Sequence, residues 1–90
     1  MIQSFGDRDS ERAFKGERVR RFGAIQAKLE RKLTFLDEAE ALRDLFATPG
    51  HRPERLKSSG TYSIRINDQW RIVFRWSDEG PQNVKIEDYR

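Results

Sequence analysis

The chain has no cysteine and only one histidine among its 90 residues. The first absence excludes a disulfide framework, a thiolate metal site and a thiol nucleophile, and it fits a reducing compartment. The second, His51 standing alone, argues against a zinc centre, which draws its ligands from several histidines and cysteines. Long apolar runs are also missing, since nothing approaches the roughly 18 residues of a membrane span. The opening Met1-Ile2-Gln3-Ser4-Phe5-Gly6-Asp7 lacks a basic region ahead of an apolar core, so it does not read as a signal peptide. Repeats, linkers and low-complexity segments are not evident. The expectation is one cytoplasmic domain spanning 1–90, not membrane-inserted and with no metal or cofactor. A domain of this size buries only about 60% of its unfolded surface, so its stability is modest.

What is present is charge and aromatic rings. Charged residues make up 37% of the chain and hydrophobic residues 36%, a polar balance that ten aromatic residues pull back from disorder. Net charge is +3 and unevenly spread, with nine Lys or Arg against four acids from Arg8 to Lys32. From Asp37 to Asp44 the balance reverses to four acids against one arginine. The molecule therefore has a basic side.

The strongest pattern runs from Thr61 to Trp76. Tyr62, Ile64 and Ile66 alternate with Ser63, Arg65 and Asn67; after Asn67-Asp68-Gln69, Trp70, Ile72, Phe74 and Trp76 alternate with Arg71, Val73 and Arg75. This period of two predicts an antiparallel hairpin with one apolar face. The other face gathers Arg65, Arg71 and Arg75 around one valine, which points to an anionic ligand.

Before the hairpin the pattern is helical. Residues 1–5 fit a short first strand, and Asp9 or Ser10 is placed to N-cap a helix carrying Ala13 and Phe14. Arg18-Val19-Arg20-Arg21-Phe22 either continues that helix or follows a break at Gly16. Ile25, Leu29, Leu33 and Leu36 recur at helical spacing and form a core stripe, with Lys28, Arg31 and Lys32 outside it. Asp37 followed by Glu40 resembles a capping box for a further helical piece with Leu42, Leu45 and Phe46. Thr48-Pro49-Gly50-His51-Arg52-Pro53 ends it. A brief strand at residues 54–57 is then followed by a turn at Ser58-Ser59-Gly60, the hairpin, the turn 77–81 and a last strand with Val84 and Ile86. Helices first and strands afterwards predict an α+β domain, with N-terminal helices packed on a small antiparallel sheet.

The run Ser63-Ile64-Arg65-Ile66-Asn67-Asp68-Gln69-Trp70-Arg71-Ile72-Val73-Phe74 closely resembles the core of HigB-type toxins of the RelE superfamily. Ile2-Gln3-Ser4-Phe5, Glu30-Arg31-Lys32-Leu33 with Leu36-Asp37, Leu42-Arg43-Asp44-Leu45, Pro49-Gly50 with Leu56-Lys57, and Val84-Lys85-Ile86-Glu87-Asp88-Tyr89 extend the likeness over nearly the whole chain. The resemblance implies a microbial RNase-like fold, ribosome-dependent cleavage of mRNA in the A site, and silencing by a helix-turn-helix antitoxin of the HigA type. DNA contact would come through that antitoxin.

Metal-free RNA cleavage needs a base for the 2′-hydroxyl, a cation for the phosphate and an acid for the leaving 5′-oxygen. Arg71 suits the phosphate through its guanidinium fork, against the alternative that it pairs with Glu87. By the resemblance Lys57 contacts RNA phosphate, and Asp88 and Tyr89 form a pair for proton transfer and nucleotide orientation; by parity Tyr89 lies opposite Val84 and Ile86, where a base can stack on it. Arg65 and Arg75 are further RNA contacts.

The family commonly ends Asp-Tyr-His, and this chain ends Asp-Tyr-Arg. Arg90 stabilises an oxyanion but accepts no proton at neutral pH. Glu54, where some members carry histidine, is the candidate base. The connection Ser58-Ser59-Gly60 is also shorter than the family's. His51, in its Pro-Gly-His-Arg-Pro loop, is expected to be solvated, with replacement of the missing base as the alternative. The basic residues Arg18, Arg20, Arg21, Lys28, Arg31 and Lys32 read equally as a solvated face or a ribosomal RNA contact. Two function classes compete: the ribosome-dependent endoribonuclease, and a catalytically weak or inactive form that binds RNA, the ribosome or its antitoxin. A DNA-binding domain is the weaker third, because no helix pair has the turn and exposed helix of a helix-turn-helix.

Overall fold

A computed structural model describes residues 1–57 and 60–89 of the chain. Helices α1 (Arg8–Phe14), α2 (Gln26–Glu38) and α3 (Leu42–Phe46) precede strands β1 (Glu54–Arg55), β2 (Thr61–Arg65), β3 (Trp70–Ser77) and β4 (Gly80–Asp88). The strands form one antiparallel sheet in the order β1-β2-β3-β4. This is the α+β arrangement that the sequence predicts.

The hairpin forms because its alternation has a core to face. Tyr62 pairs with Phe74 and Ile64 with Ile72 across β2 and β3, and Ile72 pairs with Ile86 on β4. Leu29, Leu33 and Leu36 from α2 are fully buried in the same core, with Phe22 standing edge-on to Trp70 at 5.4 Å. At the hairpin tip, the Asn67 side-chain oxygen accepts from the backbone N–H groups of Gln69 and Trp70, each at 2.8 Å. This Asx turn fixes the register.

Gly16, with φ +86, ends α1 after seven residues. The chain resumes as a 3₁₀ turn (Arg20–Ile25) leading into α2, so the basic segment follows a break instead of extending the first helix. Two expected caps lie elsewhere. Asp7, not Asp9 or Ser10, caps α1, accepting from the Ser10 N–H at 2.8 Å. Ser10 is buried, and its hydroxyl accepts from the Ile86 N–H at 3.0 Å. Asp37 sits inside α2 and accepts from the Ile2 N–H at 2.8 Å; the carboxylate at the start of α3 is Asp44, which accepts from Ala41 N–H at 3.1 Å.

The expected first strand is a single parallel bridge, Phe5 to Val84. It covers the open edge of β4 with the bonds Gly6 N–H to Val84 O and Val84 N–H to Ser4 O. At the opposite edge, β1 and His51 cover β2: the Leu56 N–H donates to Thr61 O and the Arg65 N–H to His51 O.

Candidate active site

The sheet has one face packed on the helices and one turned away from them, and the register decides which side chains reach the second. Ser63 stands opposite Val73, Arg65 opposite Arg71, and Arg71 opposite Glu87. On the outer strand Glu54 pairs with Ser63, which carries Glu54 to the same face. Tyr89, just beyond β4, shares the parity of Glu87 and approaches from the other side.

Arg71 is the centre of this face and is only 6% exposed. Its Nε–H donates to the Ser63 hydroxyl at 2.8 Å, and Nη2 donates to the Ser63 carbonyl at 3.3 Å and to the Arg52 carbonyl. Three of the five guanidinium protons are thereby assigned to protein acceptors. Nη1 lies 3.6 Å from the Glu54 carboxylate, whose side chain is half exposed. The guanidinium carbon lies 5.7 Å from the centre of the Tyr89 ring. The structure thus brings Arg71, Glu54 and Tyr89 together, and the partner of Arg71 is Glu54 and not Glu87, which pairs with Lys85 at 3.7 Å.

The remaining candidates are spread more widely. Arg65 pairs with Asp68 at the hairpin tip. Arg75 is exposed opposite Thr61, four residues from Arg71 and so about 13 Å along the strand. Lys57 is exposed just beyond β1. Asp88 pairs in register with Trp70, on the helix-facing side, where its carboxylate accepts from the Gln69 side chain at 3.1 Å. The register does not bring it to Arg71. Arg90, like the Ser58-Ser59 part of the expected turn, lies outside the described residues.

His51 is not a solvated loop histidine. It is 1% exposed, with Nδ1 at 2.9 Å from the Leu45 carbonyl and its ring edge-on to Phe35 at 5.3 Å. Burial lowers its pKa, the Leu45 carbonyl opposes that, and the nearby Lys32 ammonium adds to the lowering. Lys32 itself is pushed down, first by burial and then by Lys28, Arg31 and Arg65 around it. The basic residues of α2 and the hairpin tip therefore converge on one region. Arg21 behaves differently, being tied to Asp7 and Asp9.

Sequence reasoning missed Ser63 and the Arg52 carbonyl, the two groups that fix Arg71. Ser63 had a signal, since it alternates onto the arginine face; a backbone carbonyl has none. Among the described residues no cluster of histidine, aspartate or glutamate is arranged to hold a metal, and no helix is long and apolar enough to cross a membrane.

Comparison with known proteins bears on the family and the fold. A family model described as the RelE-like toxin of type II toxin–antitoxin system HigB matches residues 3–89. Toxin HigB-1 of Vibrio cholerae is 34% identical over an alignment covering 100% of this chain and 99% of the relative. A chain of the YoeB–YefM complex from Staphylococcus aureus superposes with a TM-score of 0.62 at 22% identity, covering 100% of this chain and 99% of that one. The YoeB dimer from the same organism gives 0.57 at 23%, covering 99% of this chain and 94% of that one. The last two likenesses concern the fold alone.

Proposed function

The chain belongs to the HigB-like family of RelE-like type II toxins, and from that premise we propose that it is a metal-independent endoribonuclease that cuts mRNA in the ribosomal A site. The observation that carries the reading is the Arg71 guanidinium: buried, locked on one side by Ser63 and Arg52, with Nη1 beside the half-exposed Glu54 carboxylate. A guanidinium held this way meets a phosphate without reorganising, which is where electrostatic catalysis is strongest.

In the proposed reaction the Glu54 carboxylate takes the 2′-hydroxyl proton, and the 2′-oxygen attacks the adjacent phosphorus. Arg71 Nη1 donates to the non-bridging oxygens as negative charge accumulates on them. The bond from phosphorus to the 5′-oxygen breaks, and that oxygen takes a proton from Tyr89, directly or through water. The products are a 2′,3′-cyclic phosphate and a free 5′-hydroxyl. The Arg90 guanidinium supplies further positive charge for the oxyanion, Tyr89 stacks on a base, and Asp88 positions the end of the last strand. Lys57, Arg65 and Arg75 hold phosphates farther along the strand. The A site would supply the pose of the message, and a HigA-type helix-turn-helix antitoxin would silence the enzyme and provide DNA contact.

Arg90, in place of the histidine common in the family, favours a second reading: a binder of ribosome or antitoxin that does not cut. Product chemistry separates the two. A message with a single 2′-deoxy nucleotide at the cleavage position should resist cutting while its all-ribose twin yields cyclic phosphate. Glu54→Gln should slow that reaction about 10²- to 10⁴-fold, the usual range for losing a general base. Cutting of the deoxy message would exclude the 2′-hydroxyl mechanism, and no cutting of either by protein that binds ribosomes would favour the binder.

A further inference from the structure

The bond from Arg71 to the Arg52 carbonyl comes from a strained turn. Arg52 has φ +41, in the left-handed region that a residue with a Cβ enters at a cost. It also precedes Pro53, and a residue before proline favours extended backbone. Its conformation is therefore held against both local preferences, and its neighbour His51 supplies the hold. The His51 N–H donates to Thr48 O at 3.3 Å, its carbonyl accepts from the Arg65 N–H at 2.6 Å, and Nδ1 reaches Leu45 O at 2.9 Å. Because a carbonyl only accepts, the ring proton sits on Nδ1. One residue thus ties the turn to the end of α3 and to the edge of β2.

We propose that His51 is a positioning residue of the site: its buried ring clamps the 48–53 turn so that the Arg52 carbonyl fixes Arg71 Nη2 and leaves Nη1 directed at Glu54. The inference deepens the nuclease reading, since it rests on Arg71 acting on the phosphate. It assigns His51 no contact with RNA.

The surroundings make the clamp sensitive to acid. The Lys32 ammonium of α2 lowers the pKa of the ring, and Lys28 and Arg31 of α2 and Arg65 of β2 lower that of Lys32; Arg65 is paired with Asp68. α3 contributes the Leu45 carbonyl. Protonation puts a cation on this buried ring near Lys32 while keeping the Nδ1–H on the Leu45 carbonyl, so the turn and the Arg71 it positions should respond to the titration of the ring.

Two variants and one spectroscopic reporter test this. In His51→Asn the side-chain amide donates from near the position of Nδ1, so cleavage on ribosomes should stay within about threefold of the native rate. Any acidic loss of activity left in this variant belongs to Glu54, the proposed base, because nothing at residue 51 titrates. His51→Leu fills the space without a donor, and should cut about ten- to a hundredfold more slowly at unchanged ribosome affinity, the scale of loss from misplacing a catalytic group. The Arg71 Nε–H resonance should keep its native position in the asparagine variant and move in the leucine variant.

A folded His51→Leu protein with native rate and native Arg71 resonance would overturn the proposal, as would a His51→Asn protein as slow as His51→Leu. If neither variant folds, the native chain decides: the Arg71 Nε–H should shift with the midpoint of the His51 ring, and an Arg71 signal indifferent to that titration would overturn it. Failure of the nuclease reading looks different, because the native protein would then leave the message uncut on ribosomes, or Arg71→Ala would cut as fast as native, whereas the resonance reports on the clamp without any cleavage.

Discussion

Arg71 does what lysine could not do in its place. The guanidinium engages Ser63 through Nε and Nη2, reaches Arg52 through Nη2, and still presents Nη1. An ammonium has one nitrogen and no planar fork. Arg71→Lys is therefore expected to lose nearly as much cleavage as Arg71→Ala, about 10²- to 10³-fold for one oxyanion donor, read from single-turnover rates. His51 gives a stability prediction with a defined sign. Its folded pKa lies below the ordinary 6.5, so as pH falls through the ordinary value the unfolded chain takes up a proton before the native one does. Stability is full above about 6.5 and declines below it until the folded pKa is reached. Urea unfolding at stepped pH should show that decline, and His51→Asn should remove its part of it. At this scale Arg71 was legible, because an arginine on the outward face of a hairpin is conspicuous. The burial of His51 was not: a Pro-Gly-His-Arg-Pro loop reads as solvent-exposed until a sheet edge needs its carbonyl.

The elements follow their sequence patterns where one partner surface decides them. The hairpin was legible because strict alternation admits one register, and the Asn67 turn sets it. Asn67→Ala should cost about 1 kcal/mol through two lost backbone partners, measured by denaturant midpoint at unchanged slope. Leu33, fully buried in the α2 stripe, should cost about 2–5 kcal/mol on truncation to alanine. Caps were harder to place. Asp9 or Ser10 is the expected N-cap, but the Ser10 hydroxyl is taken by the Ile86 N–H of β4 and the Asp9 carboxylate by Arg21, and Asp7 caps the helix. Asp37 likewise serves the Ile2 N–H, a partner 35 residues away that no local pattern announces. Asp88 and Tyr89 adjoin in sequence and face opposite ways, as the pleat requires. The resemblance pairs them in one role, whereas the sheet gives only Tyr89 to the Arg71 face.

Across the whole molecule, the helical layer builds a core against one face of the sheet and leaves the other to Arg71, Glu54 and Tyr89. Charge adds a second surface. Lys28, Arg31, Lys32 and Arg65 lie close enough for the other three to depress the pKa of Lys32. Such a cluster should make ribosome association fall with added salt, with a shallower slope in Lys28→Ala/Arg31→Ala protein. The central claim is that this family member cuts messages by means of Arg71 in a geometry completed by the ribosome. Primer extension on one defined message, with and without ribosomes, tests it most directly when native protein and Arg71→Ala are compared. Cuts within A-site codons are expected only when ribosomes are present, and none from Arg71→Ala. Equal cutting of naked RNA, or native cuts from Arg71→Ala, would contradict it.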